Sequence, residues 1–339
     1  MNRANFPLCC FPRSAAILFL ALMMKTGTGT AAPLIDLSRP VDESLEIITG
    51  VYWSFDALSV DGAVVDEKTS GAKIDGTPAQ GHGSAPSLVG GVNLAGTSGF
   101  GQALALRTNA TQKGGDGNPR VVNNALPLAV GENPLAMVAT DFTGGLWIRF
   151  DSILSGATQS VVLMDRGMLG IAASGGENGG NWGFYLEKDT EDLWRVAFQT
   201  GDGTSTAAAG TVYHDDFEAL PFGDGGWHHI GFSFLYGGEE GGHQVQFWLD
   251  GTLLNTVGGL DVSITSGSTT RSGVRRFWVG ERATTGYWSV FDGDMDDLFV
   301  THGQYGFQPI PEPSGMALLA GGLALLWPGL RSWRTRFTV

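Results

Sequence analysis

Trp227-His228-His229-Ile230-Gly231-Phe232-Ser233-Phe234, followed after a glycine-rich break by Val245-Gln246-Phe247-Trp248-Leu249-Asp250-Gly251, is the stretch that decides the fold. Ile230, Phe232 and Phe234 alternate with Gly231 and Ser233, and Val245, Phe247 and Leu249 alternate with Gln246 and Trp248. A period of two puts alternate side chains on opposite faces of a strand, so one face is apolar. The same period recurs outward along the chain. Leu146, Ile148 and Phe150 share one face, with Trp147 and Arg149 on the other; Trp194, Val196 and Phe198 repeat the pattern, and Phe277 and Val279 lead into Gly280. Val161–Met164 is apolar throughout, as in a strand covered on both faces. Gly175-Gly176, Gly179-Gly180, Gly237-Gly238 and Gly241-Gly242 punctuate these segments as turns. Beyond residue 50 no stretch carries a helical period, and no internal repeat is present. Many short strands without helices predict an all-β, antiparallel β-sandwich, and at this length a jelly roll.

The two ends read differently. Arg3 and Arg13 precede an apolar run, Ala15–Met24, and no acidic residue appears before Asp36. A basic start, a short apolar core and small residues around Thr30-Ala31-Ala32 predict a secretory signal peptide over residues 1–32. Ten apolar residues make about 15 Å of helix, too little to cross a bilayer. Cys9 and Cys10, the two cysteines of the chain, precede that run, so the exported part forms no disulfide and relies on core burial. At the other end stand Pro311-Glu312-Pro313-Ser314, an apolar segment Gly315–Leu330, and Arg331, Arg334 and Arg336. The segment is about 24 Å long as a helix, and the arginines behind it follow the positive-inside rule, which puts the main body on the far side of the inner membrane. Over residues 309–339 this combination resembles the PEP-CTERM sorting signal of Gram-negative bacteria that make exopolysaccharide. The resemblance implies a transmembrane segment at 315–330 and a sorting motif at Pro311, Glu312 and Pro313. An exosortase would recognise that motif and pass the protein from the inner membrane to the cell surface or extracellular matrix.

Between these ends the chain carries 14 basic residues against 33 acidic ones. Such a surface does not suit nucleic acid or anionic lipid. It fits a soluble extracellular domain, with or without divalent cations.

Six local patterns in order resemble LamG-like, concanavalin A-like lectin/glucanase jelly rolls. They are Tyr52-Trp53-Ser54-Phe55-Asp56, the turn Asp66–Gly71, Phe100-Gly101-Gln102-Ala103-Leu104, Trp227-His228-His229-Ile230, Val245–Gly251, and Gly293-Asp294-Met295-Asp296-Asp297-Leu298. The resemblance places such a domain over residues 41–307. Residues 108–134 do not follow the pattern and read as a long loop or insertion.

Candidate chemistry is sparse. Glu187-Lys188-Asp189-Thr190-Glu191 has the E-x-D-x-E pattern that related jelly-roll glycoside hydrolases carry on a strand, where alternation aims the carboxylates at one cleft. Here the residues between are Lys188 and Thr190 rather than core residues, and the motif falls between two strands, so a hairpin turn is expected and no catalytic residue is assigned. Asp292, Asp294, Asp296 and Asp297 form a dense acidic run but not an EF-hand loop, since Asp297 and Gly303 stand where its sixth-position Gly and twelfth-position Glu are required. Asp296 shares strand phase with Leu298 and Val300, and a buried carboxylate needs hydrogen bonds or a cation. The resemblance implies a calcium ion near the rim at Asp56, Asp66 and Asp296; a purely hydrogen-bonded or an exposed Asp296 are the alternatives. His228 and His229 point to opposite faces of a strand and do not chelate one ion. Trp147, Trp248 and Trp278 lie in the polar phase of their strands, where they either stack on sugar rings or are covered by loops. The expected function is that of a non-catalytic exported surface or matrix protein, binding carbohydrate or a protein partner in exopolysaccharide. The alternatives are a divergent concanavalin A-like glycoside hydrolase and a structural matrix protein without a specific ligand.

Overall fold

In the computed structural model the chain divides into two compact units, Met1–Pro33 and Leu34–Val339. The structure describes residues 32–68, 73–79, 86–94, 99–106, 120–123, 135, 137, 139–153, 156, 158–166, 182–201, 209–237, 242–260, 277–280 and 291–310. The expected signal segment as far as residue 31, the motif Pro311, Glu312 and Pro313, and the apolar segment 315–330 lie outside them, as does 108–134 apart from 120–123. The described strands all belong to the second unit.

Its described residues are mostly strand. In chain order they form β1 (Leu34–Asp36), a single helical turn α1 (Val41–Ser44), β2 (Val51–Trp53), β3 (Thr77–Ala79), β4 (Ser87–Gly90), β5 (Gln102–Leu106) and β6 (Arg120–Asn123). Next come β7 (Phe142–Phe150), β8 (Gln159–Arg166), β9 (Trp182–Lys188), β10 (Trp194–Gly201), β11 (Ala209–Tyr213), a 3-10 turn (Pro221–Gly223) and β12 (His228–Leu235). The chain closes with β13 (His243–Leu249), β14 (Thr252–Leu260), β15 (Phe277–Val279), β16 (Gly293–His302) and β17 (Gly306–Gln308). One seven-stranded sheet has the order β11-β10-β9-β8-β15-β6-β3, and an eight-stranded sheet has β14-β13-β12-β7-β16-β5-β4 with β2 also paired to β16. Both sheets are antiparallel throughout. Among the described residues no helix is long and apolar enough to cross a membrane.

The alternating residues do what the sequence requires of them. Leu146 and Ile148 of β7 and Ile230, Phe232 and Phe234 of β12 meet Phe184, Leu186, Val196 and Phe198 of the opposite sheet in one apolar core. The ring of Phe232 stands 4.8 Å from both Phe184 and Phe198, and Phe142 lies 5.5 Å from Trp182. Each such fully buried ring contributes about 1.5–3 kcal/mol relative to leaving it in water.

A second layer was not legible. The outer face of the eight-stranded sheet is roofed by Ile35, Leu37, Val41, Leu45 and Ile48, which pack on Tyr52, Trp147, Phe299 and Phe307. The roof is tied down by a parallel ribbon in which β1 pairs with β17, Ile35 opposite Phe307. The folded body therefore takes in residues ahead of position 41.

Candidate functional site

The three carboxylates expected around a cation do not share one. Asp66 and Lys68 have side chains with no exposure, and their charged ends meet at 3.0 Å. Asp66 also accepts the N–H groups of Tyr52 (3.0 Å), Lys68 (3.1 Å) and Ile74 (2.7 Å), and the Lys68 ammonium donates to the Gly50 carbonyl at 2.8 Å. Burial pulls the Lys68 pKa below its ordinary value, against the attraction of Asp66. Asp56 is exposed and accepts the Gln102 N–H at 2.8 Å. Asp296 is fully buried; Oδ2 accepts the Val92 N–H at 2.9 Å and Oδ1 has no partner. Burial pushes its pKa up to about 9. Calcium requires six to eight oxygen ligands. The donors around Asp66 already occupy both of its oxygens, and among the described residues no group of three or more acidic, histidine or cysteine side chains is arranged to hold a metal. These residues do not fit a calcium site.

The expected phase of Asp296 also needs correction. The β16–β7 register shifts between Asp296 and Phe299, and Asp297 sits there at φ 48°. This bulge adds a residue. Met295, Leu298 and Val300 therefore reach the core between the sheets, whereas Asp296 lies opposite Trp147 of the outer layer. Asp297 accepts the Val41 N–H (2.9 Å) and the Tyr52 hydroxyl (2.7 Å), fastening the roof to β16.

The tryptophans do not make an open platform. Trp147 is 0% exposed beneath the roof, 5.8 Å from the Phe100 ring and 5.4 Å from that of His229. Trp248 is half-buried against Phe307, 5.7 Å away. Trp278 has its backbone in β15, but its side chain lies outside the described residues. The covering segment is what removes Trp147 from any sugar.

Of the E-x-D-x-E residues, Asp189, Thr190 and Glu191 lie in the expected hairpin turn between β9 and β10, whereas Glu187 and Lys188 end β9, paired with Arg195 and Trp194. Asp189 accepts the N–H groups of Glu191 and Leu193 at 2.8 and 2.9 Å, closing the turn. Glu187 is bound by the Arg195 guanidinium at 2.8 and 2.5 Å, and Glu191 points to solvent. His228 and His229 take opposite faces. His228 lies between Asp250 (2.8 Å) and Asp224 (3.0 Å), whereas His229 is fully buried with both ring nitrogens unpartnered.

A cleft of about 470 Å³ opens beside that turn, at one end of the sandwich. Its floor is Phe150, Trp194 and Phe222, with rings 5.1–6.1 Å apart when Phe291 is counted behind them. Ile153 and Leu220 extend this apolar surface. Asp151, Ser152, Asp192 and Asp224 stand among the lining residues, and none of those residues is basic. Asp192 is reached by the buried Lys188 ammonium at 2.5 Å. Asp224 accepts the Gly226 N–H at 2.6 Å on the same oxygen that faces His228. Burial raises the Asp224 pKa, but the Gly226 N–H and His228 outweigh it and leave the carboxyl below its ordinary value. For His228, burial acts downward and the two aspartates outweigh it, so its pKa is raised. Sequence reading missed this cleft because three loops separated by about 40 and 30 residues build it, and none carries a motif; the turn residues of Pro221–Gly226 were the available signal.

No protein-family model matches the chain, and no curated protein sequence matches it. Similar solved structures include botulinum neurotoxin type C, described for its interaction with two ganglioside molecules (12% identity, TM-score 0.40, 76% of this chain and 49% of that one). They also include the botulinum neurotoxin serotype G binding domain (12%, 0.38, 75% and 48%) and the receptor binding domain of a mosaic serotype C/D neurotoxin (10%, 0.40, 76% and 48%). The chain thus spans about half the length of these structures.

Proposed function

We propose that this chain is an exported, non-catalytic surface or matrix protein. In this reading a concanavalin A-like jelly roll binds carbohydrate or a protein partner in exopolysaccharide, and an exosortase-type enzyme processes its tail. The observation that carries the binding reading is the open cleft at the loop end of the sandwich, with an apolar floor and polar rim of the kind that ligand sites have. The terminal segments of the sequence support the delivery. The absence of an assigned catalytic role is supported by the state of the carboxylates. Glu187 is ion-paired, Asp189 closes a turn, and Asp224 is biased toward ionisation, whereas the general acid of a glycosidase needs a raised pKa.

Two experiments test the reading. Mass spectrometry of the mature protein from its own host should find a start near residue 33 and an end near Pro311–Pro313; recovery of intact Val339 from outside the cell would remove the processing step. A glycan array, read with and without EDTA, should give selective signal. A flat array would favour a matrix protein without a specific ligand, and reducing ends released from a bound glycan would favour the hydrolase.

A further inference from the structure

Resting on the carbohydrate-binding reading, we infer that the cleft lined by Phe150, Trp194, Leu220, Phe222 and Asp224 takes an uncharged sugar and discriminates against uronates and amino sugars. The size suits one or two pyranose rings, since ligand pockets run from about 300 to 1,000 Å³ and this one holds about 470 Å³. The apolar surface open to the C–H face of a ring comes from Leu220 and Ile153, both half-buried, backed by the buried rings of Trp194 and Phe222, which pack edge to face at 5.5 Å and are 2% exposed each.

The rim decides the charge of the ligand. Among the described residues that line the cleft none is Lys, Arg or His and three are carboxylates, so a uronate would meet like charge. A sugar ammonium gains little either. The rim already has its own cations behind it: Lys188, with a fully buried side chain, on Asp192, and His228 on Asp224. An added ammonium would compete with both. A neutral hydroxyl has neither penalty. Asp224 is 55% exposed, and its protein hydrogen bonds fall on Oδ1, which leaves Oδ2 to accept a hydroxyl proton.

Gly223 offers a clean block. It lines the cleft, its φ is ordinary, and a Cβ built there meets nothing within 4 Å, so Gly223→Trp fills the opening without displacing the core. The folded protein and this variant are applied to an array of neutral, uronate-bearing and amine-bearing oligosaccharides, and hits are titrated by calorimetry. Neutral oligosaccharides should bind best, and Gly223→Trp should weaken them at least about tenfold at an unchanged melting temperature. Asp224→Ala, a change at an exposed position, should weaken them about three- to tenfold and serves as the second variant should the tryptophan disturb folding. Preference for a uronate or amine over its neutral counterpart overturns the ligand class while leaving the binding reading intact. Neutral binding undiminished in both variants overturns the cleft as the site. No sugar bound at all overturns the proposal together with the reading it rests on.

Discussion

Lys68 is the buried cation paired with Asp66, and its replacement should be costly. Removing one partner of a buried ion pair leaves an uncompensated charge and costs about 3–5 kcal/mol. Lys68→Met keeps the side-chain length and strands Asp66 among three backbone N–H donors. We expect its urea midpoint to fall accordingly, while the wild-type melting temperature is the same in calcium and in EDTA. A calcium-dependent rise in the wild type that Lys68→Met alters would point to a divalent ion beside this pair, because a ligand of the folded state raises the melting temperature. His229 sets a different dependence. Burial among Trp147 and Phe307 lowers its pKa from 6.5 to about 3. A base with a depressed folded pKa binds fewer protons folded than unfolded, so stability falls as pH drops below 6.5 and continues to fall toward 3. Its share between pH 7 and pH 5 is about 2 kcal/mol. Denaturation at those two pH values should show that loss in the wild type and a flatter response in His229→Leu; equal slopes would sink the assignment. At this scale the sequence was only half legible. Opposite faces for His228 and His229 follow from strand alternation, but which face is roofed does not. Asp66 was recognisable as a special carboxylate, whereas its pairing with a lysine two residues on was not.

The strands themselves were the most legible part, because apolar alternation is a local property: β7, β10, β12 and β13 are bounded by the residues that carry it. Bulges are not local in that sense. The one at Asp296–Phe299 depends on the partner strand, and it reverses the faces expected for Asp296. The hairpin between β13 and β14 shows both kinds of information. Asp250 (φ 49°) and Gly251 (φ 76°) make a two-residue turn with both residues left-handed, the geometry that suits the twist of paired strands. Asp250 then reaches beyond the turn, accepting the His229 N–H at 2.8 Å and contacting His228 at 2.8 Å. A Cβ on Gly251 would come within 2.2 Å of the Gln308 carbonyl oxygen. Gly251→Ala therefore meets two penalties, the left-handed backbone and the clash with β17, and should cost more than the ~1 kcal/mol expected from left-handed conformation alone. Gly259→Ala is the control: its φ is 82°, yet a Cβ there meets nothing within 4 Å. If thermal denaturation finds the two variants equally destabilised, β17 is not pressed against the hairpin as described.

Across the whole molecule, the two ends of the folded body are joined to each other, and this governs what the outer face can do. β1 and β17 are separated by 269 residues, Leu37 to Tyr305, so no sequence window contains both, and the roof they anchor could not be read in advance. Its consequence is concrete: Trp147 is a core residue of a second layer that it shares with Ile35, Leu37 and Val41, and His229 is buried against Trp147 and Phe307 of that layer. The core between the sheets is formed by other residues, from Leu146 and Phe232 to Phe184 and Phe198. The two layers should therefore respond separately to damage. Ile35→Asp places a carboxylate at a position with 0% exposure, opposite Phe307. An unpaired buried charge is not tolerated there, so the ribbon should detach rather than hold it. The expected result is a red-shifted, more readily quenched tryptophan emission, as Trp147 and Trp248 meet water, with the far-ultraviolet β signature retained. A control at the same ribbon, Leu34→Asp, changes a side chain that is already 59% exposed and should leave emission and melting temperature at wild-type values. Collapse of the whole sandwich in Ile35→Asp would mean that the roof and the inner core fold as one unit, and unchanged emission would mean that the parallel ribbon does not hold the roof in place.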